Sequence, residues 1–414
     1  MVPLLRAFLT CILYFTPSNS WPWTPNRQTT TDPEIHMTLE DIVRRWGFPI
    51  ESHEIRTADG YILIAFRIPY GRNQSTIPRH PRPAVLFMHG LDASCICFLS
   101  NLPDKDAAYI YADAGLDVWL GNFRGNFYGR RHESIPLSHH SFWDFSWDQM
   151  AEYDLPATID YILRVTQSSF LYYIGHSMGT TTAFALLSTN QRYSKKIRRF
   201  YGLGPVTTGK NLKGAARNVL AVVSTTDSTM AKLGVNQGAF LSTNPIAKRM
   251  VKLACGPTAA ELICSNVIFL TEGPDTGQLN KSRVPVFMSH LPSGTSWRTV
   301  AHFGQMVKSG QFQKYDYGTA SRNRIRYGQE TPPTYDISLI DTPIGIYWGD
   351  KDYLAPPEDV AAIITRLKNV IADVFLYDYN HVDFIWGSRV QRDVYIPILN
   401  DIRSDFANAT RRTS

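Results

Sequence analysis

Short apolar runs alternate with amphipathic segments along both ends of the chain. Wholly apolar runs of about 4 to 8 residues are typical of parallel strands buried on both faces of a sheet. The runs that predict such strands are Ala84–Met88, Asp117–Leu120, Phe170–Ile174, Phe200–Leu203, Pro343–Trp348 and Val374–Tyr377. Helical periodicity predicts helices over Asp106–Ala114, Met150–Arg164, Glu358–Leu367 and Ser388–Asp401, with Pro397 kinking or shortening the last. This alternation predicts a doubly wound, mainly parallel α/β sheet with right-handed crossovers.

Two departures from the alternation divide the chain. Glu51–Pro69 predicts a hairpin that turns at Ala58-Asp59-Gly60. Between about Thr207 and Ser338 the alternation stops, and the sequence becomes rich in Gly, Ser and Asn with only short amphipathic pieces. We therefore expect a core built from residues 33–206 and 339–406, with a cap or lid inserted at residues 207–338.

The N-terminus has the pattern of a secretory signal over residues 1–20. Arg6 supplies the positive charge, Ala7–Phe15 the apolar stretch and Ser18-Asn19-Ser20 the cleavage region. The stretch is too short to span a bilayer, and no later apolar run reaches the required length of about 18 residues. We expect a secreted or lysosomal protein without a transmembrane segment. Three Asn-x-Ser/Thr sequons fit that compartment, at Asn73, Asn280 and Asn408.

The composition argues against a nucleic-acid-binding protein. The chain has 414 residues, 44% of them hydrophobic, and a formal net charge of +6. It has no Lys/Arg run of the nucleic-acid-binding type. The densest basic stretch is Lys195-Lys196-Ile197-Arg198-Arg199, which we interpret as the end of a helix, where cations are favoured; a basic face for anionic lipid is the alternative.

The cysteines suggest structural roles and no metal site. Cys255 and Cys264 lie nine residues apart in an apolar stretch, and an oxidising compartment would allow them to bridge. Cys95 and Cys97 are two residues apart, which is awkward for pairing, and we interpret them as small apolar side chains. No Cys/His cluster of the metal-binding type is visible, so neither a metal nor an organic cofactor is expected.

The candidate nucleophile is Ser177. It lies in Gly175-His176-Ser177-Met178-Gly179, a G-x-S-x-G sequence between a predicted strand and a predicted helix. The turn in such a motif is sharp and strained, and a Cβ at either glycine would collide with the neighbouring backbone. The strain exposes the serine hydroxyl, and the following helix N-terminus favours developing negative charge.

A serine nucleophile needs a base and an orienting carboxylate, which follow it in the order Ser, Asp, His in α/β-hydrolase sheets. His381 is the only histidine after His302, and it follows a predicted late strand. Asp350 and Asp352 both follow the preceding strand, and physical reasoning alone does not separate them. Asp378 and Asp383, near the base, are expected to be turn and cap residues.

An oxyanion hole needs two backbone N–H groups directed at the developing charge. One comes from the residue after the nucleophile, which is Met178. The other comes from a loop after an early strand, where His89-Gly90-Leu91 stands, and Leu91 N–H is the expected donor. We expect His89 to order this loop by hydrogen bonding and not to transfer protons.

From about Pro33 to Arg403 the chain resembles the acid lipase family, which includes gastric lipase and lysosomal acid lipase. The most specific stretches are His89–Leu91, Ala112–Asn122, Arg124–Asn126, Phe142–Ser146, Tyr153–Asp160, Gly175–Ser177 and Asn380–His381. The resemblance implies Ser177 as nucleophile, His381 as base and, 29 residues before it, Asp352 as acid. It also implies Leu91 and Met178 as oxyanion donors, a Cys255–Cys264 disulfide and a sequon at Asn280.

Two positions depart from the family pattern. The family has glycine where Asp350 stands, and its mammalian members have glutamine where Met178 stands. A backbone N–H donates whatever its side chain, so the second departure leaves the oxyanion hole complete.

The expected function is hydrolysis of lipid esters, triacylglycerols or sterol esters, at a lipid–water interface. The alternatives are a different α/β-hydrolase activity, such as a general carboxylesterase, amidase, peptidase or epoxide hydrolase, and a catalytically silent lipid-binding relative. Epoxide hydrolases use an aspartate nucleophile, so Ser177 argues against that activity.

Overall fold

A sheet of nine strands, counted over the described residues, is the centre of the fold. The computed structural model describes residues 32–74, 82–232, 238–240 and 268–411. The strands are β1 Glu51–Arg56, β2 Tyr61–Ile68, β3 Ala84–Met88, β4 Asp117–Leu120, β5 Arg131–His132, β6 Leu171–His176, β7 Ile197–Leu203, β8 Ala239–Phe240, β9 Thr295–Ser296, β10 Ile344–Gly349 and β11 Val370–Leu376. The main sheet has the order β1-β2-β4-β3-β6-β7-β10-β11, and β5 pairs with β2. All pairs from β4 to β11 are parallel, whereas β1, β2 and β5 pair antiparallel, so the predicted hairpin and parallel sheet are both confirmed.

In the described part of the chain, α-helices of four or more residues precede, connect and follow the strands. They are α1 Leu39–Arg45, α2 Ala107–Asp113, α3 Leu155–Thr166, α4 Met178–Thr189, α5 Gly214–Lys232, α6 Val284–Ser289, α7 Trp297–Ser309, α8 Ala320–Tyr327, α9 Pro357–Ile364, α10 Asp383–Trp386 and α11 Ile396–Arg411. A π-helical turn, Gln391–Tyr395, precedes α11, and Pro397 is the second residue of that helix. The irregular backbone before Pro397 accommodates its missing N–H, and the helix then continues beyond the predicted end.

Both faces of the sheet are buried, as β3 illustrates. Val85 and Phe87 contribute to one hydrophobic cluster, and Leu86 and Met88 contribute to the other. Because successive side chains of a strand point to opposite faces, a strand between two cores must be apolar throughout. The apolar runs in the sequence are the direct result. At the edge of the sheet, β11 alternates half-buried and exposed residues, and Asp373 at an exposed position interrupts the apolar run, so only the second half of the strand was predicted.

None of the described residues between 207 and 338 adds a strand to the main sheet. β8 and β9 pair only with each other, and α5 packs against α7. A Cβ at Gly304 of α7 would lie 2.3 Å from the Leu220 carbonyl oxygen of α5, so the glycine allows the two helix backbones to approach closely.

The basic stretch at residues 195–199 does not end the helix that follows Ser177, so that interpretation was wrong. α4 ends at Thr189, a short 3-10 helix Gln191–Lys195 follows, and Arg198 and Arg199 belong to β7. Their guanidinium groups bind the carboxylates of α11, with Arg198 Nε 2.8 Å from Asp405 Oδ2 and Arg199 Nη2 2.9 Å from Asp405 Oδ1. The charges are therefore used to hold the last helix on the sheet.

Buried Arg124 joins three parts of the core. Its Nη1 donates to Asp59 Oδ2 at 2.6 Å, in the β1–β2 turn, and its Nε donates to Asp154 Oδ1 at 2.8 Å, before α3. The guanidinium carbon also lies 3.9 Å from the centre of the Tyr61 ring. Arg124 and Asp154 are almost completely inaccessible, so this ion pair is hardly screened by solvent.

Replacing Arg124 with Met is expected to lower the free energy of unfolding by about 3–5 kcal/mol, because it leaves two carboxylates without their partner. Chemical denaturation measures this change. The matched control is Arg56→Met at the exposed Arg56–Glu133 pair, expected to cost less than about 1 kcal/mol. Equal effects of the two substitutions would contradict the proposed role of Arg124.

Candidate active site

Ser177 occupies a strained turn between β6 and α4. Its φ of 54° and ψ of −118° are rare for a residue with a side chain. The surrounding glycines have no room for a Cβ: one at Gly175 would lie 2.8 Å from the Gly179 carbonyl carbon, and one at Gly179 would lie 2.4 Å from the Met88 carbonyl oxygen. The Ser177 hydroxyl forms no cap bond with the helix that follows, so it remains free for chemistry.

His381 and Asp352 meet at the carboxyl ends of β10 and β11. His381 Nδ1 lies 2.8 Å from Asp352 Oδ2, and both side chains are buried. Asp352 Oδ1 accepts the backbone N–H groups of Leu354 at 2.9 Å and Ala355 at 2.7 Å. These bonds leave one carboxylate oxygen for the imidazole and fix its direction. A Cβ at Gly204 would lie 3.0 Å from His381 Nδ1, so the residue that follows β7 packs against the pair.

The pKa of His381 is raised. Burial opposes the charged imidazolium, but the Asp352 carboxylate outweighs burial through its charge and its hydrogen bond, and the Glu272 carboxylate adds to the effect. His381 Nε2 is buried and has no hydrogen-bond partner among the described residues. The imidazole is therefore held at one nitrogen and able to accept a proton at the other.

The other carboxylates near the base bind backbone N–H groups. Asp350 Oδ1 accepts the Asp378 N–H at 2.7 Å, and its Oδ2 lies 2.9 Å from Lys351 Nζ. Asp378 has a φ of 57° in that turn. Asp383 is the first residue of α10, and its Oδ2 accepts the Asn380 N–H at 2.9 Å. The structure thus brings Asp352, and not Asp350, to the imidazole. Asp378 is a turn residue, as expected. Asp383 is not the cap of α10, because Val382 holds that position and the Asp383 carboxylate binds an N–H group that precedes the helix.

The loop after β3 lies against Ser177. A Cβ at Gly90 would lie 3.1 Å from Ser177 Cβ and 3.5 Å from its Oγ. Leu91, the next residue, therefore carries its N–H close to the serine. Met178 is the first residue of α4, so its N–H has no carbonyl partner within the helix. Both expected oxyanion donors lie on the backbone around the serine.

His89 orients the peptide group that carries the Leu91 N–H. Its Nε2 accepts from Phe123 N at 3.2 Å and lies 3.0 Å from Asn126 Nδ2, so the proton is on Nδ1, which donates to the Gly90 carbonyl at 2.8 Å. That carbonyl and the Leu91 N–H belong to one planar peptide, and fixing one fixes the other. Burial lowers the pKa of His89 to about 4, so it is neutral at pH 7. The expectation that His89 orders the loop is confirmed.

Asn122 and Asn126 support this histidine. Asn126 Nδ2 also donates to Asn122 Oδ1 at 2.8 Å, and Asn122 Nδ2 donates to the Ile64 carbonyl at 2.8 Å. Sequence reasoning gave them no role, although their position just after β4 was an available signal, because the carboxyl ends of parallel strands share one edge.

His176 joins the nucleophile turn to the base. Its Nε2 lies 2.9 Å from the His381 carbonyl oxygen, and the two rings are 4.7 Å apart. Burial, followed by the nearby His381, lowers the pKa of His176 well below its usual range. As a neutral donor it links β6 to the loop that carries His381.

Glu272 holds together the loop that carries Asp352 and the loop that carries His381. Its carbonyl oxygen accepts the N–H groups of Tyr353 and His381, each at 3.2 Å. The next residue, Gly273, has a φ of 132°, and a Cβ there would lie 2.1 Å from the Lys351 carbonyl oxygen. These two bonds and the close approach at Gly273 involve the main chain, so no local sequence pattern pointed to Glu272.

Several predicted features lie elsewhere. Residues 1–20, Cys255 and Cys264 lie outside the described residues. Cys95 and Cys97 are buried free thiols, which agrees with their apolar interpretation. Of the sequon asparagines, Asn73 and Asn408 are exposed and Asn280 is half-buried.

The described residues contain no group of three or more His, Cys, Asp or Glu side chains that could hold a metal ion. Within them, no helix has both the length and the apolar character needed to cross a membrane.

Comparison with known proteins agrees with the resemblance read from the sequence. The chain is 44% identical to lipase lipl-1 of Caenorhabditis elegans over 385 residues, covering 92% of this chain and 94% of that protein. It is 41% identical to human gastric triacylglycerol lipase over 373 residues, covering 90% and 92%. Residues 39–102 match the model of a partial α/β-hydrolase lipase region, and residues 83–388 match that of the α/β-hydrolase fold. The chain belongs to the lipase family of α/β-hydrolases.

Its enzyme class is accordingly that of a lipase, and the fold expected from the sequence is confirmed. Among solved structures, an α/β-hydrolase fold protein from Nakamurella multipartita superimposes with a TM-score of 0.53 at 16% identity, covering 86% of this chain and 100% of that one. At this identity the likeness supports the fold alone.

The steric role of Gly179 is testable. Gly179→Ala is expected to lower the free energy of unfolding by about 1–3 kcal/mol and the melting temperature with it, because the new Cβ forces α4 away from the end of β3. The matched control is Gly202→Ala in β7, where the nearest atoms to a new Cβ are 3.5 Å away. If both variants melt at the same temperature, the contact with Met88 is not what requires glycine.

The electrostatic coupling at His381 is testable without any assay of activity. In ¹³C-histidine NMR, the His381 imidazole is expected to titrate above its ordinary pKa of about 6.5. Asp352→Asn is expected to lower that pKa, because burial then acts without the opposing carboxylate charge. Asp350→Asn is the control and is expected to leave it unchanged. A larger shift in the Asp350 variant would reverse the assignment of the acid.

Proposed function

We propose that this lipase hydrolyses carboxylic esters of lipids through an acyl-enzyme intermediate on Ser177. The observation that carries the proposal is the buried His381–Asp352 pair, 2.8 Å apart, beside a strained serine turn. In this proposal Ser177 is the nucleophile, His381 the general base and Asp352 the acid that orients it.

The reaction begins when His381 Nε2 removes the Ser177 Oγ proton as the oxygen attacks the ester carbonyl. The carbonyl oxygen becomes an oxyanion, which accepts the N–H groups of Leu91 and Met178. His381 then protonates the leaving alcohol, and the acyl group remains on Ser177. A water molecule, deprotonated by the same imidazole, releases the fatty acid and restores the serine. Asp352 stabilises the imidazolium in both halves of the reaction.

The raised pKa of His381 sets the direction of the pH dependence on the acid side. The base acts in its neutral form, so the rate rises as the pH increases through the pKa of His381. Because the Asp352 carboxylate raises that pKa, it also places the rise at a higher pH than an unpaired buried histidine would give.

Residues 207–338 are proposed to form the cap that provides the acyl-binding surface, and a lid over it. Triacylglycerols are the first substrates to test, since several relatives are named triacylglycerol lipases, among them the human and mouse gastric proteins. Sterol esters are the second. The proposed site of action is a lipid–water interface.

The proposed compartment is the secretory pathway, with the mature protein secreted or in the lysosomal lumen. The signal pattern of residues 1–20 supports it, together with the exposed sequon asparagines Asn73 and Asn408. In the same compartment Cys255 and Cys264 would form the proposed cap disulfide, and Asn280 would be a third glycosylation site.

Ser177→Ala is expected to reduce kcat for ester hydrolysis by on the order of 10⁴-fold or more, because no other group can form the acyl-enzyme. It should also abolish covalent labelling by a fluorophosphonate. Hydrolysis is measured on purified protein at acid and neutral pH. Ser188→Ala is the control: this buried serine of the same helix α4 donates only to the Ala185 carbonyl, at 3.0 Å.

Retained turnover in Ser177→Ala would refute the mechanism. A substrate panel of triacylglycerols, sterol esters, short-chain esters and peptide amides tests the substrate class. Release of amines in preference to fatty acids would indicate an amidase or peptidase. Failure of the wild-type protein to react with both the panel and the fluorophosphonate would indicate a silent relative.

A further inference from the structure

Asp92 follows the expected oxyanion donor Leu91 and adopts a conformation that few residues tolerate. Its φ is 57°, in the left-handed region, where Gly, Asn and Asp are the usual residues. A residue held there needs surrounding bonds that determine its conformation.

Two hydrogen bonds fasten Asp92 to a distant part of the chain. Its carboxyl Oδ1 accepts the Gly294 N–H at 2.8 Å, and its carbonyl oxygen accepts the Ser293 N–H at 2.9 Å. Ser293 and Gly294 directly precede β9 and α7. The turn after Leu91 is thus bound by two successive amides of one segment.

That segment is itself fixed to the loop after β4. Arg130 Nη2 donates to the Ser293 carbonyl at 2.7 Å, and the Phe127 N–H donates to Ser293 Oγ at 3.3 Å. Arg130 Nε also donates to the Gly125 carbonyl at 3.2 Å. Because Asn126 of the same loop contacts His89, both sides of the Gly90–Leu91 peptide are anchored on one support.

We propose that Asp92 is a positioning residue of the oxyanion hole. By holding Ser293 and Gly294, Asp92 keeps the Leu91 N–H directed at the ester oxygen over Ser177. The inference rests on the proposed function and deepens it. His89 fixes the Gly90 carbonyl on one side of the donor, and Asp92 fixes the chain on the other. Neither residue touches the substrate.

The protonation of Asp92 suits this role. Burial raises the pKa of its carboxyl to about 8, against the opposing effects of the Gly294 N–H and the Arg130 guanidinium. A raised pKa lowers the negative charge that the carboxyl carries beside the oxyanion near neutral pH, and such a charge would destabilise the oxyanion.

Two substitutions separate the hydrogen bond from the backbone strain. Asp92→Gly keeps the freedom to adopt a positive φ but removes the side-chain acceptor. Asp92→Asn keeps both the acceptor oxygen and the tolerance of the left-handed region. In the full-length protein, Asp92→Gly is expected to lower kcat on a triacylglycerol by on the order of 10- to 100-fold with KM nearly unchanged. Asp92→Asn is expected to stay within about threefold of wild type.

Hydrogen exchange distinguishes failure of this inference from failure of the proposed function. The Gly294 amide is expected to exchange faster in Asp92→Gly than in Asp92→Asn or wild type, whether or not the protein hydrolyses lipid esters. Wild-type kcat in a folded Asp92→Gly protein would overturn the inference. So would unchanged Gly294 exchange in that variant, or a kcat loss above about tenfold in folded Asp92→Asn. If Asp92→Gly does not fold, the kcat of Asp92→Asn still tests the inference.

Discussion

The close approach of α4 to the carboxyl end of β3 is the constraint on which the site depends. Gly179 lies so near the Met88 carbonyl that no side chain fits between them. That contact fixes the start of the helix, and with it Ser177 and the Met178 N–H. Met88 is also the last residue of β3, and the chain continues directly into His89, Gly90 and Leu91. One backbone contact therefore sets the position of the serine relative to both expected oxyanion donors. The strain at Ser177 persists because tightly packed backbone on either side leaves it no alternative.

The base and the acid are positioned by a different principle, in which main-chain hydrogen bonds join segments that are far apart in sequence. Asp352 is held by two amides of its own loop, whereas His381 is tied through Glu272 to that loop and through His176 to the serine turn. Each of these bonds satisfies a buried polar group, and leaving such a group unpaired would cost about 1–3 kcal/mol. The same bonds that let the core bury its polar backbone thus also hold the imidazole in place.

The sequence predicted most of the fold because buried parallel strands require apolar residues on both faces, and that requirement leaves continuous runs such as Ala84–Met88. The edge strand β11 has one exposed face, which allows Asp373 to interrupt its apolar run, so only its second half was predicted. The sequence also located Ser177, His381 and two candidate acids, since strand ends converge on one edge of the sheet. The choice between Asp350 and Asp352 depends on loop geometry, which no periodicity encodes. The Glu272 carbonyl could not be predicted either, because any residue has one. The role of the basic stretch Lys195–Arg199 was predicted wrongly, because charge density does not distinguish a helix end from a strand that binds carboxylates.

Three buried histidines lie at this site, and their surroundings give them different chemistry. Burial alone lowers the pKa of His89 to about 4, and burial aided by the charge of His381 lowers the pKa of His176 well below its usual range. Both are therefore neutral hydrogen-bonding groups, and each donates to a carbonyl oxygen of an adjoining loop. His381 is equally buried, but it alone faces the Asp352 carboxylate, whose effect exceeds the cost of desolvation and raises the pKa. Proton transfer needs a group that is stable both with and without the proton near neutral pH. Of the three, only the histidine paired with a carboxylate meets that condition, so the placement of Asp352 decides which imidazole can act as the base.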